Sequence, residues 1–187
     1  FATEHCEPVQ CRRVAARGEP DRAQMVIRPY PAHWEKRLLL EGIGGVLLRP
    51  IVPSDEALYG DFLKHVAADD HRLRFFSAKR ELSHNFIARL TQIDYAREMA
   101  FVALAKSTGA LLGVARFIAD PDYVSGEYAI LVRSDLKGRG LGWRLMQHLI
   151  AYARSEHLEA LYGSVLAGNT TMLEMCQRLG FSVGVEP

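Results

Sequence analysis

The sequence of 187 residues predicts an α/β domain in which helices flank a mixed, mostly antiparallel central sheet. Two features predict this architecture. Short apolar segments between residues 98 and 133 are separated only by turn residues, which is typical of antiparallel strands. Beyond residue 140, segments with apolar residues at helical spacing alternate with short apolar runs, which is typical of helices packed on a sheet. The predicted element order is β-α-α-β-β-β-α-β-α-β.

The first half of this order begins with an apolar strand over residues 46–51. The segment PSDE that follows carries N-terminal helix signals, and apolar residues then recur at helical spacing as far as Val66. The segment DDHRLRFFSAKRELS, residues 69–83, is too charged and irregular to place, but Ser83 is expected to cap a short helix.

The second half begins with a predicted hairpin of EMAFVALA and LLGVARFIAD, followed by the strand EYAILVR. An amphipathic helix starts near Leu141, and the buried strand ALYGSVLA comes next. Asn169 opens a last helix that ends at Gly180, and FSVGV starts a final strand.

Composition excludes several classes of function. The chain is 49% apolar and 24% charged, as in ordinary globular proteins, and its net charge of +1 argues against a general nucleic-acid binder. Its apolar runs are too short to span a bilayer, so we expect no membrane partner. Cys6 and Cys11 could form a disulfide, but the sparse, odd set with Cys176 favours free thiols and a cytoplasmic location. The scattered histidines predict no metal site.

The first part of the chain is predicted to lie outside the domain. Residues 1–44 are interpreted as a linker and the tail of a preceding domain, and residues 45–187 as the domain itself. The chain begins with Phe1 instead of Met, lacks the apolar core of a signal peptide, and contains the loop-like segments ARGEPD and RPYP. We therefore expect a segment excised from a longer protein.

The segment DLKGRGLGWRLM, residues 135–146, places three glycines at the start of a predicted helix. Glycine lets backbone N–H groups converge and lets a ligand approach without a Cβ in the way. The helix dipole adds roughly 0.3–2 kcal/mol for an anion at this end. The basic residues nearby are Arg133, Lys137, Arg139 and Arg144. A pyrophosphate fits this pattern, and a tight turn without a ligand is the alternative.

Two other phosphate motifs do not match this segment. A dinucleotide fingerprint requires a third glycine where Trp143 stands. A P-loop requires Gly-Lys-Ser/Thr, which the sequence lacks. A phosphate-bearing ligand of another kind is therefore expected.

The glycine segment resembles the acyl-CoA-binding motif of the GNAT acetyltransferase superfamily, Gln/Arg-x-x-Gly-x-Gly/Ala, with lysine at the first position. GNTTMLEMCQRLGF resembles the second signature of that superfamily, and together the two cover about Gly45 to Phe181. The resemblance implies the GNAT fold and acetyl-CoA as acyl donor. It also implies that backbone groups of the strand before the loop contact the pantetheine arm. The implied cofactor-binding residues are Ile130, Leu131, Val132, Lys137, Gly138, Arg139, Gly140, Leu141, Gly142 and Asn169.

Further segments, among them LRPIVPSDE, LTQIDYAREMAFVAL and GEYAILV, resemble the acetyltransferase domain of bacterial Pat-type protein lysine acetyltransferases. In that family the domain follows an NDP-forming acyl-CoA-synthetase-like region on one chain. The resemblance implies a protein lysine as acceptor, with acetyl-CoA synthetase as the candidate partner.

An acceptor lysine makes a clear chemical demand. Its pKa near 10.4 leaves about one part in a thousand neutral at pH 7.4, a cost of roughly 4 kcal/mol, so a general base is needed. The resemblance points to Glu127, and strand alternation puts Glu127, Ala129 and Leu131 on one face. A solvated carboxylate at a strand end is the alternative for Glu127.

Two residues of the last helix have two readings each. Many relatives have a tyrosine that protonates the departing thiolate where Cys176 stands here, so Cys176 is a weaker catalytic candidate, with a small packing residue as the alternative. Asn169 fits a helix N-cap as well as a cofactor contact. Two other functions are left open: acetylation of a small amine or protein amino terminus, and a non-catalytic domain that senses acetyl-CoA.

Overall fold

The computed structural model describes residues 8–14, 28–75 and 83–185. One eight-stranded sheet has the order β2-β3-β4-β5-β6-β7-β1-β8. The strands are β1 Pro8–Val14, β2 Lys36–Leu40, β3 Gly44–Pro50, β4 Glu98–Ala105, β5 Leu111–Ala119, β6 Ser125–Val132, β7 Ala160–Leu166 and β8 Ser182–Val185. The helices are α1 Glu56–Lys64, α2 Ala68–Phe75, α3 His84–Thr91, α4 Leu141–Ser155 and α5 Thr170–Arg178. Every described strand pair is antiparallel except β6 with β7, which confirms the predicted mixed, mostly antiparallel sheet.

The two faces of the sheet carry different helices. On one face the core joins Phe101 and Phe117 to the apolar side of α4, including Leu145 and Leu149. On the other face, side chains of β4 and β5 pack with α1, whose Phe62 is 1% exposed. The strand alternation that separates these two sets also places Glu127 on the α1 face, because Glu127 is the register partner of Ile118 and not of Phe117.

Several elements lie where the sequence predicts them. The hairpin of β4 and β5 forms, and Ser83 caps α3 by accepting a hydrogen bond from the Phe86 amide at 3.3 Å. The helix α2 lies in the stretch that the sequence left unplaced. Its first residues are polar and its apolar periodicity is weak, so its helical state depends on tertiary contacts with β6 and β7.

The predicted boundary at residue 45 does not agree with the sheet. Strand β1 lies between β7 and β8, and β2 pairs with β3 from Lys36 to Leu40. Trp34 also packs edge-on against Tyr152 of α4, with ring centroids 5.5 Å apart. These segments are therefore part of the folded unit. The sequence missed them because β1 is only seven residues long, its polar and apolar residues do not alternate regularly, and it stands far from its partner strands in the chain.

The parallel pair of β6 and β7 is short, and this shapes the centre of the molecule. Pairing runs from Ser125–Ala160 to Glu127–Tyr162 and then stops, although both strands continue. We call the opening beyond this point, between residues 128–132 and 163–166, the β6–β7 gap. Within the described residues, no helix is long and apolar enough to cross a membrane.

Candidate active site

A cleft of about 380 Å³ opens at the β6–β7 gap, where α4 and α5 begin. Its walls come from β6, the glycine loop, the start of α4, β7 and α5, with one residue from α2. The lining residues are Asp70, Glu127, Tyr128, Ala129, Ile130, Leu131, Val132, Leu136, Lys137, Gly138, Gly140, Leu141, Gly142, Trp143, Ser164, Val165, Asn169, Thr171, Met172, Glu174, Met175 and Arg178. Most of the residues that the sequence singled out thus meet in one place.

The glycine loop has a backbone that glycine favours at two positions. Gly138 has φ +74° and Gly140 has φ +79°, and Gly140 is the N-cap of α4. An added Cβ at either residue would meet nothing within 4 Å, so the space above the loop is open. The first amides of α4 lack partners within the helix, and they point toward this space. The loop therefore has room and backbone donors for an anion.

The four basic residues near the loop have other partners in this structure. Lys137 forms an ion pair with Asp70, and Arg133 forms one with Asp135 at 2.8 Å. Arg139 donates to the carbonyl of Gly42 at 2.5 Å and does not line the cleft. Arg144 donates to Gln147 at 3.3 Å. The guanidinium of Arg139 thus lies against the β2–β3 turn and away from the cleft, so a contact of Arg139 with the cofactor stays a prediction for its backbone amide.

The three residues of β6 that were predicted to contact the cofactor do not all direct their backbone N–H and C=O groups to the same side. At the ends of β6, the Ser125 carbonyl accepts from the amide of Asp120, and the Arg133 amide donates to Leu112, so odd-numbered residues bond toward β5. Ile130 and Val132 therefore direct their backbone groups into the gap. The backbone N–H and C=O of Leu131 face β5, although the residue also lines the cleft.

Glu127 stands where the pairing of β6 with β7 ends. It is exposed, it lines the cleft, and its register partners are Ile118 on one side and Tyr162 on the other. Its side chain lies on the α1 face, whereas the glycine loop leads into α4 on the opposite face. The gap joins the two faces, so a group held on the α4 side can meet this carboxylate.

Cys176 does not lie in the cleft. It is 0% exposed in the core, and its thiol is 3.1 Å from the hydroxyl of Tyr128. Contact with the Cys11 thiol and burial raise the pKa of Cys176 far above its ordinary value. Cys11 and Cys176 are both free thiols, whereas Cys6 lies outside the described residues. These observations favour the packing role over the acid role for Cys176.

The position of Asn169 is compatible with both of its predicted roles, helix N-cap and cofactor contact. Its side-chain oxygen accepts from the amide of Met172 at 3.2 Å, as an N-cap does, and the residue also lines the cleft. Sequence reasoning gave no role in the site to several other residues of the cleft, among them Trp143, Arg178 and Asp70. Trp143 and Arg178 stack at its wall with 5.0 Å between guanidinium carbon and ring centroid, and Asp70 comes from α2. Trp143 directly follows Gly142 in the sequence, whereas only the fold brings Asp70 and Arg178 to the glycine loop.

The family model of the GNAT acetyltransferases matches residues 63–181, which include the glycine loop, Glu127 and α5. The chain belongs to this family. GNAT acetyltransferases use acetyl-CoA as acyl donor, and the open, amide-rich loop with an apolar cleft beside it fits a pyrophosphate and its pantetheine arm. In the part of the chain that the structure describes, no group of three or more His, Cys, Asp or Glu side chains could hold a metal ion.

Several known proteins are similar to this GNAT chain. An acetyltransferase of Pseudomonas aeruginosa is 32% identical over 151 residues, which is 80% of each chain. The acetyltransferase Pat of Mycolicibacterium smegmatis is 29% identical over 136 residues, which are 71% of this chain and 40% of that protein. The crystal structure of the GNAT domain of S. lividans PAT superposes with a TM-score of 0.76 at 26% identity, covering 82% of this chain and 91% of that one.

Proposed function

We propose that the protein transfers the acetyl group of acetyl-CoA to the ε-amino group of lysines in other proteins. The similarity to a Pat acetyltransferase and to the GNAT domain of a PAT protein supports this acceptor class. Acetyl-CoA synthetase is the candidate partner, an acyl-CoA-synthetase-like domain on the same chain is the proposed neighbour, and the cytoplasm is the proposed location.

The observation that carries the proposal is the position of Glu127. The carboxylate is exposed at the end of the β6–β7 pairing, on the α1 face, and the glycine loop lies at the end of the same cleft. A donor seated on the α4 side and an amine arriving from the α1 side would meet at the gap. This arrangement favours direct transfer in a ternary complex.

The chain's own residues have separate tasks in this proposal. Amides at Gly138–Gly142 bind the pyrophosphate, and backbone groups of Ile130 and Val132 hold the pantetheine arm as a further strand would. Acetyl-CoA supplies an acetyl thioester, whose carbonyl carbon bonds to the amine nitrogen as its bond to sulfur breaks; CoA leaves as a thiolate and takes up the second proton that the nitrogen loses. Glu127 accepts the proton that the ammonium must lose, directly or through a water. Cys176 cannot attack the thioester to form a covalent intermediate, because it is buried outside the cleft.

The nature of the acceptor is tested by following labelled acetyl-CoA in the presence of three acceptors. These are acetyl-CoA synthetase, simple alkyl amines, and peptides whose only amine is the amino terminus. We expect label on lysine side chains of the synthetase, located by mass spectrometry. Label only on alkyl amines or amino termini would replace the lysine proposal with the second enzymatic one. Binding of acetyl-CoA without transfer to any acceptor would favour a sensing domain.

A further inference from the structure

The corner between α1 and α2 is bonded to the turn before the glycine loop. The Ser134 amide donates to the carbonyl of His65 at 2.9 Å, and the Ser134 hydroxyl accepts from the Ala67 amide at 2.7 Å. The same hydroxyl donates to a carboxylate oxygen of Asp70 at 2.5 Å. Through Ser134, the helices of the α1 face are thus fixed to the loop that leads into α4.

Asp70 makes a second contact with this region. Its other carboxylate oxygen accepts from the ammonium of Lys137, the first residue of the predicted pyrophosphate motif. Asp70 is only 9% exposed, whereas the side chain of Lys137 is 55% exposed. Both residues line the cleft. A buried carboxylate therefore stands beside the seat of an anion, with a lysine between them as countercharge.

The contacts of α2 also link the glycine loop to the face of the sheet from which the acceptor amine is proposed to arrive. Helix α2 contacts β6 and β7, the two strands that border the gap. Glu127 lies at the end of their pairing and on the same face of the sheet as α1. A shift of α2 would therefore change the approach to Glu127.

We infer that Asp70 is a positioning residue with two opposite effects on the reaction. It holds α2 on the Ser134 turn, which keeps the acceptor approach formed, and it neutralises Lys137, which weakens the attraction of the loop for pyrophosphate. When the diphosphate binds, it shares Lys137 with Asp70 and so loosens one tie between α2 and the loop. The inference rests on the proposed seat of the pyrophosphate at the glycine loop.

The two effects predict that a change at Asp70 strengthens the binding of CoA and weakens the binding of the protein acceptor. A merely structural residue would not produce this combination. Asp70→Asn keeps an acceptor for Ser134 but removes the negative charge beside the seat. CoA should then bind about two- to fivefold more tightly at low salt, and this gain should vanish at high salt. The KM of the protein acceptor should rise at least about threefold, because α2 has lost its ion pair with the loop. Pantetheine, which has no pyrophosphate, should bind wild type and variant equally.

The experiment measures CoA and pantetheine binding by calorimetry at two salt concentrations, together with acceptor KM, for wild type and variants. Asp69→Asn is the matched control, since it removes an exposed carboxylate from the same helix and should change neither quantity. Ser134→Ala breaks the Ser134 bridge but leaves the Lys137 pair, so it should raise the acceptor KM without tightening CoA.

Two results would overturn the inference: weaker binding of CoA by Asp70→Asn, or equal effects of Asp70→Asn and Asp69→Asn. The proposed function fails separately, if wild type binds CoA no better than pantetheine or transfers no acetyl group.

Discussion

Glu127 is the last residue of β6 to pair with β7, and its register partner there is Tyr162. One residue further along, Tyr128 points to the opposite face and contacts Cys176 in the core. The strands therefore separate between a residue that faces solvent and a residue that anchors the core. This places a carboxylate at the edge of an opening, next to a residue that is packed in the core.

The left-handed backbone of Gly140 gives the first prediction. Gly140→Asp should raise the Kd of CoA at least about tenfold, because it places a negative charge at the anion seat. Gly109→Asp is the matched control: Gly109 has φ +72° and equally open surroundings, but it lies in the β4–β5 turn outside the cleft. Both variants have similar backbone strain, and only the first should change CoA binding in calorimetry. Equal Kd values for the two variants would refute the assignment of the anion seat.

The start of β6 gives a prediction about stability. A Cβ at Gly126 would stand 2.0 Å from the ring of Phe117 and 2.7 Å from the carbonyl of Ile118. Gly126→Ala should therefore lower the free energy of unfolding by about 1–3 kcal/mol. Gly184→Ala in β8, where nothing lies within 4 Å of the added Cβ, should leave it nearly unchanged. Urea denaturation measures both, and similar midpoints would show that β6 can move away from Phe117.

The core position of Cys176 predicts a stability effect without a catalytic one. Cys176→Ala removes one of the two thiol partners of the buried Tyr128 hydroxyl and leaves Cys11, so it should cost about 1–3 kcal/mol of unfolding free energy. The kcat should stay within about twofold of wild type, because the thiol does not line the cleft. Steady-state kinetics, measured below the melting temperature of the variant, test this prediction for kcat. A large fall in kcat with a wild-type KM for acetyl-CoA would restore Cys176 as the acid.

His148 predicts a dependence of stability on pH. Its Nε2–H donates to the carbonyl of Trp34 at 2.9 Å, and burial lowers the pKa of His148 below its ordinary value. The unfolded chain thus binds a proton that the folded chain does not, once the pH falls below about 6.5. The contribution of neutral His148 to the free energy of unfolding is fully present above that pH. It declines as the pH falls toward the pKa of His148 in the folded protein.

The measurement for His148 is the free energy of unfolding between pH 7.5 and 5.5. Wild type should lose more stability over this range than His148→Asn, which keeps a donor for Trp34 but does not titrate there. Parallel curves would mean that the imidazole is as easily protonated in the folded protein as in the unfolded one.

Local signals explain why most of the residues that the sequence assigned to the cofactor line one cleft. The glycine loop, the strand before it and the N-cap Asn169 each depend on neighbours within a few residues. The pairing of Asp70 with Lys137 joins residues 67 positions apart and has no local signal. Cys176 became a catalytic candidate through its position along α5. The sequence could not show that the core covers this side of the helix.

The N-terminal boundary was missed for a related reason. A loop-like composition says little about a segment whose structure comes from pairing with distant strands. Here β1 obtains both of its partners from the last quarter of the chain. The acceptor side was unplaced because α2 is held by β6, β7 and Ser134 and not by its own periodicity.

The transfer activity of Glu127→Gln tests the central claim most directly. The substitution keeps the size of the side chain and removes its basicity. The rate of acetyl transfer from saturating acetyl-CoA should fall at least about a hundredfold, while the Kd of CoA stays within about twofold of wild type. Glu159→Gln, which changes an exposed carboxylate just before β7 that does not line the cleft, is the control and should transfer normally. Undiminished transfer by Glu127→Gln would contradict the account and remove this carboxylate from the reaction.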